Sequence, residues 1–347
     1  MTASCQAVKI LLLQLKRIGD LILTTPAISA LRANFPDSRL TLVVSNKCAE
    51  LVPAIWDVDR IWMARRNLRD LALFFTVARE KFDYCIDFTR TDRSAFLAFL
   101  SGARTRAVSY RVRDQSKKRA RVYTDFVNVR MRDTHTVDYH IALLEPLGLR
   151  FASRAVRLAL PEIARAKADQ LRRDAKIDKP FVIFHSGSAR REKFWKPGRW
   201  AKVIEQTGLN HDVDLVLTSG ASPFELAHVA AVKSQTRQRV VDLSGKTDLL
   251  TLAALIGQAR LLVTVDSAPM HLAAATQTPQ VVLFGPTNPF HWRPREGSAL
   301  ILQGKSSVPL TEFSPAQPRL PMSQISTDAV IDAMDSLLAP HAAAQPS

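Results

Sequence analysis

Residues Leu261–Thr287 read LLVTVDSAPMHLAAATQTPQVVLFGPT, and this stretch decides the fold. Leu261–Val265 is a short apolar run with β-branched residues and polar flanks, the pattern of a buried strand. Asp266 and Ser267 break it. Ala268–Thr276 then supplies good helix formers. Ser267 stands in the N-cap place and Pro269 in the first turn, where a missing N–H costs little. Gln280–Phe284 is a second apolar run, closed by Gly285-Pro286-Thr287. Strand, helix and strand joined by such short connections specify a parallel pair. A helix start carries unpaired N–H groups and a partial positive charge, so it suits a phosphate. Asp266, at the strand's end, suits a ribose or sugar hydroxyl, and His271 stands one turn into the helix. Most such units bind nothing, so on this stretch alone a purely structural role stays equally open.

The same rhythm runs outward. In the second half, strands are expected at Phe181–His185, Asp214–Thr218 and Val240–Asp242, with helices near 198–208, 223–235 and 249–257. In the first half, strands are expected at 8–15, 40–44, 59–64 and 84–88. Helices are expected from the first loop to about Phe35, over 68–81 and over 135–147. This alternation argues for doubly wound parallel sheets. The polar helix 162–176 and Asp178-Lys179-Pro180 read as a connection between domains at 1–160 and 161–324. Past Phe290 the chain reads as proline-rich loop until a final helix, Thr327–Leu338. Its apolar stripe of Val330, Ile331, Met334, Leu337 and Leu338 must dock. The Ala/Pro-rich last eight residues are expected to fray.

Composition bounds the function. A chain of 347 residues, 47% hydrophobic, has room for two domains with ordinary cores. Lys and Arg number 48 against 32 Asp and Glu, a net charge of +16. Such a charge favours a polyanionic partner: nucleic acid, an anionic membrane or a phosphorylated substrate. Cys5, Cys48 and Cys85 are too few and too far apart for a disulfide or metal pattern, which points to a reducing compartment. The apolar run at 10–13 meets Gln14, Lys16 and Arg17 at once, so no signal peptide or membrane span is read. Contact with a membrane is therefore expected to be peripheral and cytoplasmic. Residues 104–132 are dense in Arg and Lys, including Arg111, Arg113, Lys117 and Lys118, with Tyr110 and Tyr123 interleaved. They form either a solvated face or an anion-binding surface.

Three further loops follow strands. KRIGDLILTTPA, from Lys16, has one glycine and is not a dinucleotide fingerprint, which argues against a nicotinamide or flavin enzyme. Gly19 permits close backbone approach. Asp20 lies near a helix start, where an ionised carboxylate is stabilised and can act as a base; a simple N-cap fits as well. HSGSARREKFWKPGRW, from His185 to Trp200, sets small residues such as Ser188 beside Arg190, Arg191 and Lys193. That composition lets a phosphate approach the backbone and meet cations, or it is a basic surface loop. Trp195 and Trp200 read as packing. The loop 217–222 contains Gly220 and precedes Pro223, and it suits a nucleoside. Asp57-Val58-Asp59 and Asp212-Val213-Asp214 match a metal-site D-x-D pattern but lie away from the ligand-binding strand ends. His135, Asp138 and His140 share a helical face poorly. No metal role is assigned to any of them.

VDSAPMHLAAA followed by FGPT resembles the C-terminal motif of glycosyltransferase family 9, the bacterial lipopolysaccharide heptosyltransferases. The Gly19-Asp20 loop, Lys193 ahead of Trp195, FHWRP at 290–294, His135-Thr136-Val137 and the 145–149 segment match in order, most like the heptosyltransferase III branch. Ala268 stands where the family usually has Gly, and Ser222 near where some relatives carry an acidic residue, for which Glu225 is a substitute. The resemblance implies a GT-B fold: two Rossmann-like α/β domains facing across a cleft, with helix 325–339 joining the first. It implies an inverting, metal-independent transferase moving heptose from ADP-heptose to the lipopolysaccharide inner core. Asp20 is the implied catalytic base. Gly19, Ser188, Lys193, Gly220, Asp266, Ser267, Ala268 and His271 are the implied donor-binding residues. Arg17, Arg111, Arg113, Lys117 and Lys118 are assigned to the phosphorylated core acceptor. No cofactor and no nucleic-acid partner are expected. The expected protein is a monomer in the cytoplasm, peripheral on the inner face of the inner membrane. The rivals are a GT-B transferase of another nucleotide sugar, a sugar-nucleotide epimerase, and a basic nucleic-acid-binding protein.

Overall fold

The computed structural model describes residues 7–65 and 67–339. Cys5 and the Ala/Pro-rich tail at 340–347 lie outside the described residues. The chain divides into two compact units, Met1–Ala159 and Leu160–Ser347.

The first unit holds strands β1 (Lys9–Gln14), β2 (Arg39–Ser45), β3 (Arg60–Ala64), β4 (Tyr84–Asp87), β5 (Thr105–Ser109) and β6 (Asp125–Val127). All pairs are parallel, in the order β3-β2-β1-β4-β5-β6. The second unit holds β7 (Phe181–His185), β8 (Asp214–Thr218), β9 (Val240–Asp242), β10 (Leu261–Val265), β11 (Gln280–Phe284) and β12 (Ala299–Gln303). These too are all parallel, in the order β12-β11-β10-β7-β8-β9. Numbered within each unit, both orders are the 3-2-1-4-5-6 of a Rossmann fold, so the α/β GT-B class is the one found. β7, β10 and β11 are buried along their whole length, as parallel strands covered on both faces must be. In each sheet the order reverses between two central strands, β1 and β4 in the first unit and β7 and β10 in the second. Ligands of such sheets bind at the carboxyl ends of those strands.

Besides the expected helix 135–147, which is split into helix Thr136–Ala142 and a 3-10 turn at Glu145–Leu147, the structure differs from the sequence expectations in four larger ways. The first loop does not lead into one helix reaching Phe35. Helix Ile18–Ile22 stops, and a second, Thr25–Asn34, begins. Pro26 has no N–H to give the Ile22 carbonyl, which instead accepts the Thr25 hydroxyl at 2.8 Å. Thr24 holds the N-cap position without a side-chain capping bond, its hydroxyl being given to the Asp20 carbonyl. Second, residues 104–132 are not all loop but contain β5 and β6, and β12 lies past Phe290. Third, helix Glu162–Asp174 is no free connection. It buries Ala164 and Ala168 and ties Lys167 to Asp248 and Arg172 to Gln258, both at 3.1 Å.

Fourth, the final helix, Thr327–Leu338, belongs to the second unit rather than joining the first. Ala329, Val330, Ala333, Met334 and Leu338 enter one core cluster with Trp195, Trp200, Val203 and Ile204. The two Trp rings meet edge to face at 5.4 Å, and Trp195 Nε1 donates to the Ile325 carbonyl at 3.3 Å. His211 Nε2 lies 2.6 Å from Asp335, and Lys202 pairs with Asp328 at 2.9 Å. The apolar stripe thus finds its cover on helix Pro197–Asn210 and its own sheet.

Candidate functional site

In the second unit, the polar groups converge on the ends of β7 and β10, which are paired with Thr264 opposite His185. Asp266 follows β10 and is 6% exposed. Lys193 reaches it from the turn Arg191–Lys193. Its Nζ donates to Asp266 Oδ2 and to the Asp266 carbonyl, each at 2.7 Å. The Thr287 hydroxyl, beyond the end of β11, donates to the same carboxylate oxygen. His271 is buried one turn into helix Ala268–Thr276. Burial pushes its pKa down to about 4, against the pull of Asp266, so it is a neutral imidazole at pH 7.

Ser267 occupies the N-cap position with extended backbone, as its sequence place suggests, but its hydroxyl does not cap. Its Oγ is shut off from solvent and has no hydrogen-bond partner among the described residues; the same holds for Ser186 Oγ in the loop after β7. An unsatisfied buried hydroxyl is costly, and these two lie in the loops that follow the paired strands β7 and β10. Ala268 opens this helix; Pro269 has no N–H and the Met270 amide donates to the Ser267 carbonyl at 3.2 Å, which leaves the Ala268 N–H as a first-turn donor at the positive end of the helix.

Gly187 and Gly220, on the loops after β7 and β8, bracket the Glu225 carboxylate. A Cβ at either would come within 2.7 and 2.6 Å of its two oxygens. Ser222 donates its hydroxyl to Glu225 at 2.5 Å rather than capping its own helix. Ser188 is buried, and its Oγ accepts from the Arg190 amide at 3.3 Å. Of Arg190, Arg191 and Lys193, only Lys193 is bonded at the strand ends. Arg190 is tied to Glu192, and Arg191 lies over the Phe224 ring.

In the first unit, Asp20 sits inside helix Ile18–Ile22, just past the end of β1, and is 9% exposed. Lys16 Nζ stands 3.8 Å from it. Burial raises the Asp20 pKa above the usual carboxylate range, while the Lys16 charge and the Arg17 amide pull it down. Burial lowers the pKa of Lys16. The peptide carbonyl of Asp20 accepts the Thr24 hydroxyl at 2.7 Å, and Thr24 is held in turn by Gln14 at 2.8 Å. His140, kept neutral by burial with a pKa near 3, closes the back of this loop against the Leu23 carbonyl. Gly19 is helical and needs no left-handed backbone.

The basic residues assigned to the acceptor divide. Arg17, Lys117 and Lys118 are exposed. Arg111 pairs with Asp114 at 3.1 Å, and Arg113 lies over the Phe126 ring at 3.8 Å, so both have local partners. The D-x-D aspartates are structural. Asp57 accepts from Ser29, Asp59 from Arg32 and the Leu40 amide, and Asp214 from the amides of Asp178 and Lys179. Three groups were not singled out by the sequence reading: Lys16, Ser186 and Thr287. Lys16 is four residues before Asp20, a spacing that pairs charges on a helix. Thr287 could have been found as the first polar side chain past β11, next to β10. Ser186 carries only the small-residue signal that it shares with Gly187, Ser188 and Ala189.

The profile of glycosyltransferase family 9 (heptosyltransferase) matches residues 71–315, a span that includes Lys193, Asp266 and His271 but not Asp20. Lipopolysaccharide heptosyltransferase 3 of Escherichia coli is 26% identical over 285 residues, 80% of this chain and 83% of that one. The crystal structure of a family 9 glycosyl transferase from Veillonella parvula superposes with a TM-score of 0.83 at 27% identity, covering 95% and 97% of the two chains. Escherichia coli ADP-heptose lps heptosyltransferase II superposes with a TM-score of 0.76 at 21% identity, covering 95% and 98%, and so shares the fold. With both sheets in Rossmann order and the family match running through most of the chain, it belongs to glycosyltransferase family 9 and is an enzyme of that family.

Proposed function

We propose that the chain transfers heptose from ADP-heptose to the inner core of lipopolysaccharide, most like the heptosyltransferase III branch. The observation that carries this is the Lys193–Asp266 pair at the point where the second sheet reverses, beside the unsatisfied Ser267 hydroxyl and a helix start. A cation, a helix-start N–H and a free hydroxyl in one place are the donor set a diphosphate requires. The family's relatives include proteins named for lipopolysaccharide and for ADP-heptose.

The reaction is an inverting single displacement. Asp20 takes the proton of the acceptor hydroxyl as its oxygen forms the bond to the anomeric carbon. The bond from that carbon to the diphosphate breaks on the opposite face. Lys193 and the first turn of helix Ala268–Thr276 stabilise the charge that develops on the departing ADP. A lysine and a helix start supply what a metal ion would otherwise supply, so no metal is needed. Asp266 and neutral His271 position the sugar. The acceptor is phosphorylated and lipid-linked, which suits a strongly basic monomer peripheral on the cytoplasmic face of the inner membrane.

Titration with ADP, UDP and GDP, without and with magnesium, followed by transfer to a truncated core saccharide, tests this reading. Selective ADP binding without magnesium and an inverted linkage are expected. Preference for UDP or GDP would reassign the donor, and interconversion of a sugar nucleotide without any acceptor would make the chain an epimerase.

A further inference from the structure

The first unit turns large apolar side chains outward on two adjacent helices, Asp70–Glu80 and Asp92–Leu100. Leu68 is 85% exposed, Leu71 65%, Phe75 68%, Phe96 45% and Phe99 63%. On the first helix, Leu71 and Phe75 stand four residues apart, and Leu68 precedes them on the same side. On the second, Phe96 and Phe99 share a face three residues apart. The helices are locked side by side: Phe74 meets Phe96 edge to face at 5.0 Å, and Arg93 binds the buried Asp70 carboxylate. Leu73, Val77, Ala95, Leu97 and Ala98 already fill the core beneath. The outward residues are therefore surplus to the unit's own packing, and a contiguous apolar face of this kind marks an interaction site.

The exposed charges at this face that lack an ion-pair partner among the described residues include three cations. Arg69, Arg79 and Lys81 are exposed at its edge, and none is in an ion pair among the described residues. Arg79 continues the line of Leu71 and Phe75 one turn further along. The nearby acidic groups are occupied: Asp70 by Arg93, Asp92 by Arg119, and Glu80 by Lys9, Arg39 and Arg60. A second copy seated on this face by a two-fold axis would bring its own free cations against these. An anionic bilayer would instead neutralise them while its acyl boundary receives the Leu and Phe side chains.

From this we infer that the face formed by Leu68, Leu71, Phe75, Phe96 and Phe99 seats the first unit on an anionic membrane surface. Its biological use rests on the reading that the acceptor is lipid-linked. Residue roles in transfer are untouched by it, because none of these side chains belongs to the strand-end sites.

The test is co-sedimentation of the full chain with vesicles of phosphatidylethanolamine and phosphatidylglycerol, and with phosphatidylcholine alone. The wild type is expected to pellet with the anionic vesicles and to be released by salt. The triple variant Leu71→Glu, Phe75→Glu, Phe99→Glu should bind roughly tenfold or more weakly, while keeping transfer to a water-soluble core saccharide. Arg79→Glu with Lys81→Glu should weaken binding to the anionic vesicles and leave the weak binding to phosphatidylcholine unchanged. Equal sedimentation of the wild type and the triple variant overturns the inference. So does a wild-type dimer that the triple variant converts to monomer with vesicle binding intact, since the face would then pair two copies. Pelleting by a wild type that shows no transfer refutes the proposed reaction and supports the docking face.

Discussion

Each unit places a lysine and an aspartate at the carboxyl end of its central strands, and the two pairs are built in opposite ways. Lys16 and Asp20 come from one short segment and stand 3.8 Å apart. Lys193 and Asp266 come from loops 73 residues apart and meet at 2.7 Å, with a further bond from the lysine to the peptide carbonyl and a second donor, Thr287, on the same carboxylate. A buried carboxylate with a single, loosely placed cation has its pKa raised and keeps lone pairs free, so it can accept a proton. A carboxylate holding two donors is a fixed acceptor that aims its lysine. On the proposed reading, the same topology carries a base in one unit and a charge-holding clamp in the other.

The largest expected effect breaks the comparison at its chemical end. Asp20→Asn keeps the shape and removes the base, so turnover should fall by about 10²–10⁴-fold. ADP affinity, measured by calorimetry, should stay within about twofold, since no donor contact is lost. Full activity in this variant would remove Asp20 from the mechanism.

Next, Lys193→Met leaves Asp266 buried without its cation. Thermal or urea unfolding should show a loss of about 3 kcal/mol, and ADP binding should weaken by about tenfold or more. The double variant Lys193→Met, Asp266→Leu should regain most of the stability but none of the affinity. If it regains both, the pair is only structural.

The third variant sharpens the difference in proton affinity. Lys16 pulls the Asp20 pKa down against the burial that raises it. Lys16→Met therefore moves that pKa further up, and the base stays protonated to higher pH. The acid limb of the kcat/KM profile should shift upward, with activity recovering as pH rises. A limb that does not move would show that another group titrates there.

The smallest effect concerns the unsatisfied hydroxyl. Ser267→Ala removes a buried group that has no partner, so stability should hold or rise by up to about 1 kcal/mol. ADP binding should weaken by about three- to tenfold if the diphosphate meets that hydroxyl. Unchanged affinity would leave Ser267 without a role in binding.

Much of the second unit is legible in the sequence. β7 to β11 and helices Ala268–Thr276 and Thr327–Leu338 have the bounds that apolar runs, Pro and turn residues indicate. β7, β8, β10 and β11 are central in their sheet and write their burial into consecutive residues, whereas the half-buried edge strand β9 is marked only by Val240-Val241. β5, β6 and β12 do not. Thr105–Ser109 begins with Thr and Arg, Asp125–Val127 spans three residues, and β12 lies on a sheet edge in a proline-rich context. Such strands exist because a neighbour's backbone offers hydrogen bonds, which a window of sequence does not display. Within the site, Asp20, Lys193, Asp266 and His271 are visible because strand–turn–helix segments name them. The partners Lys16, Ser186 and Thr287 are visible as residues but not as parts of a site.

By itself the sequence determined the parallel α/β class, the division into two halves and the loops that bear chemistry, because hydrophobic period, capping and turn chemistry act over a few residues. Only the tertiary structure decided that Lys193 is held by Asp266 and Thr287, that Ser186 and Ser267 keep unsatisfied hydroxyls, and that the last helix covers its own unit's Trp195 and Trp200. Those outcomes depend on which surfaces meet after the sheets form. The energy of a buried pair or a docked stripe belongs to that meeting and not to either segment alone.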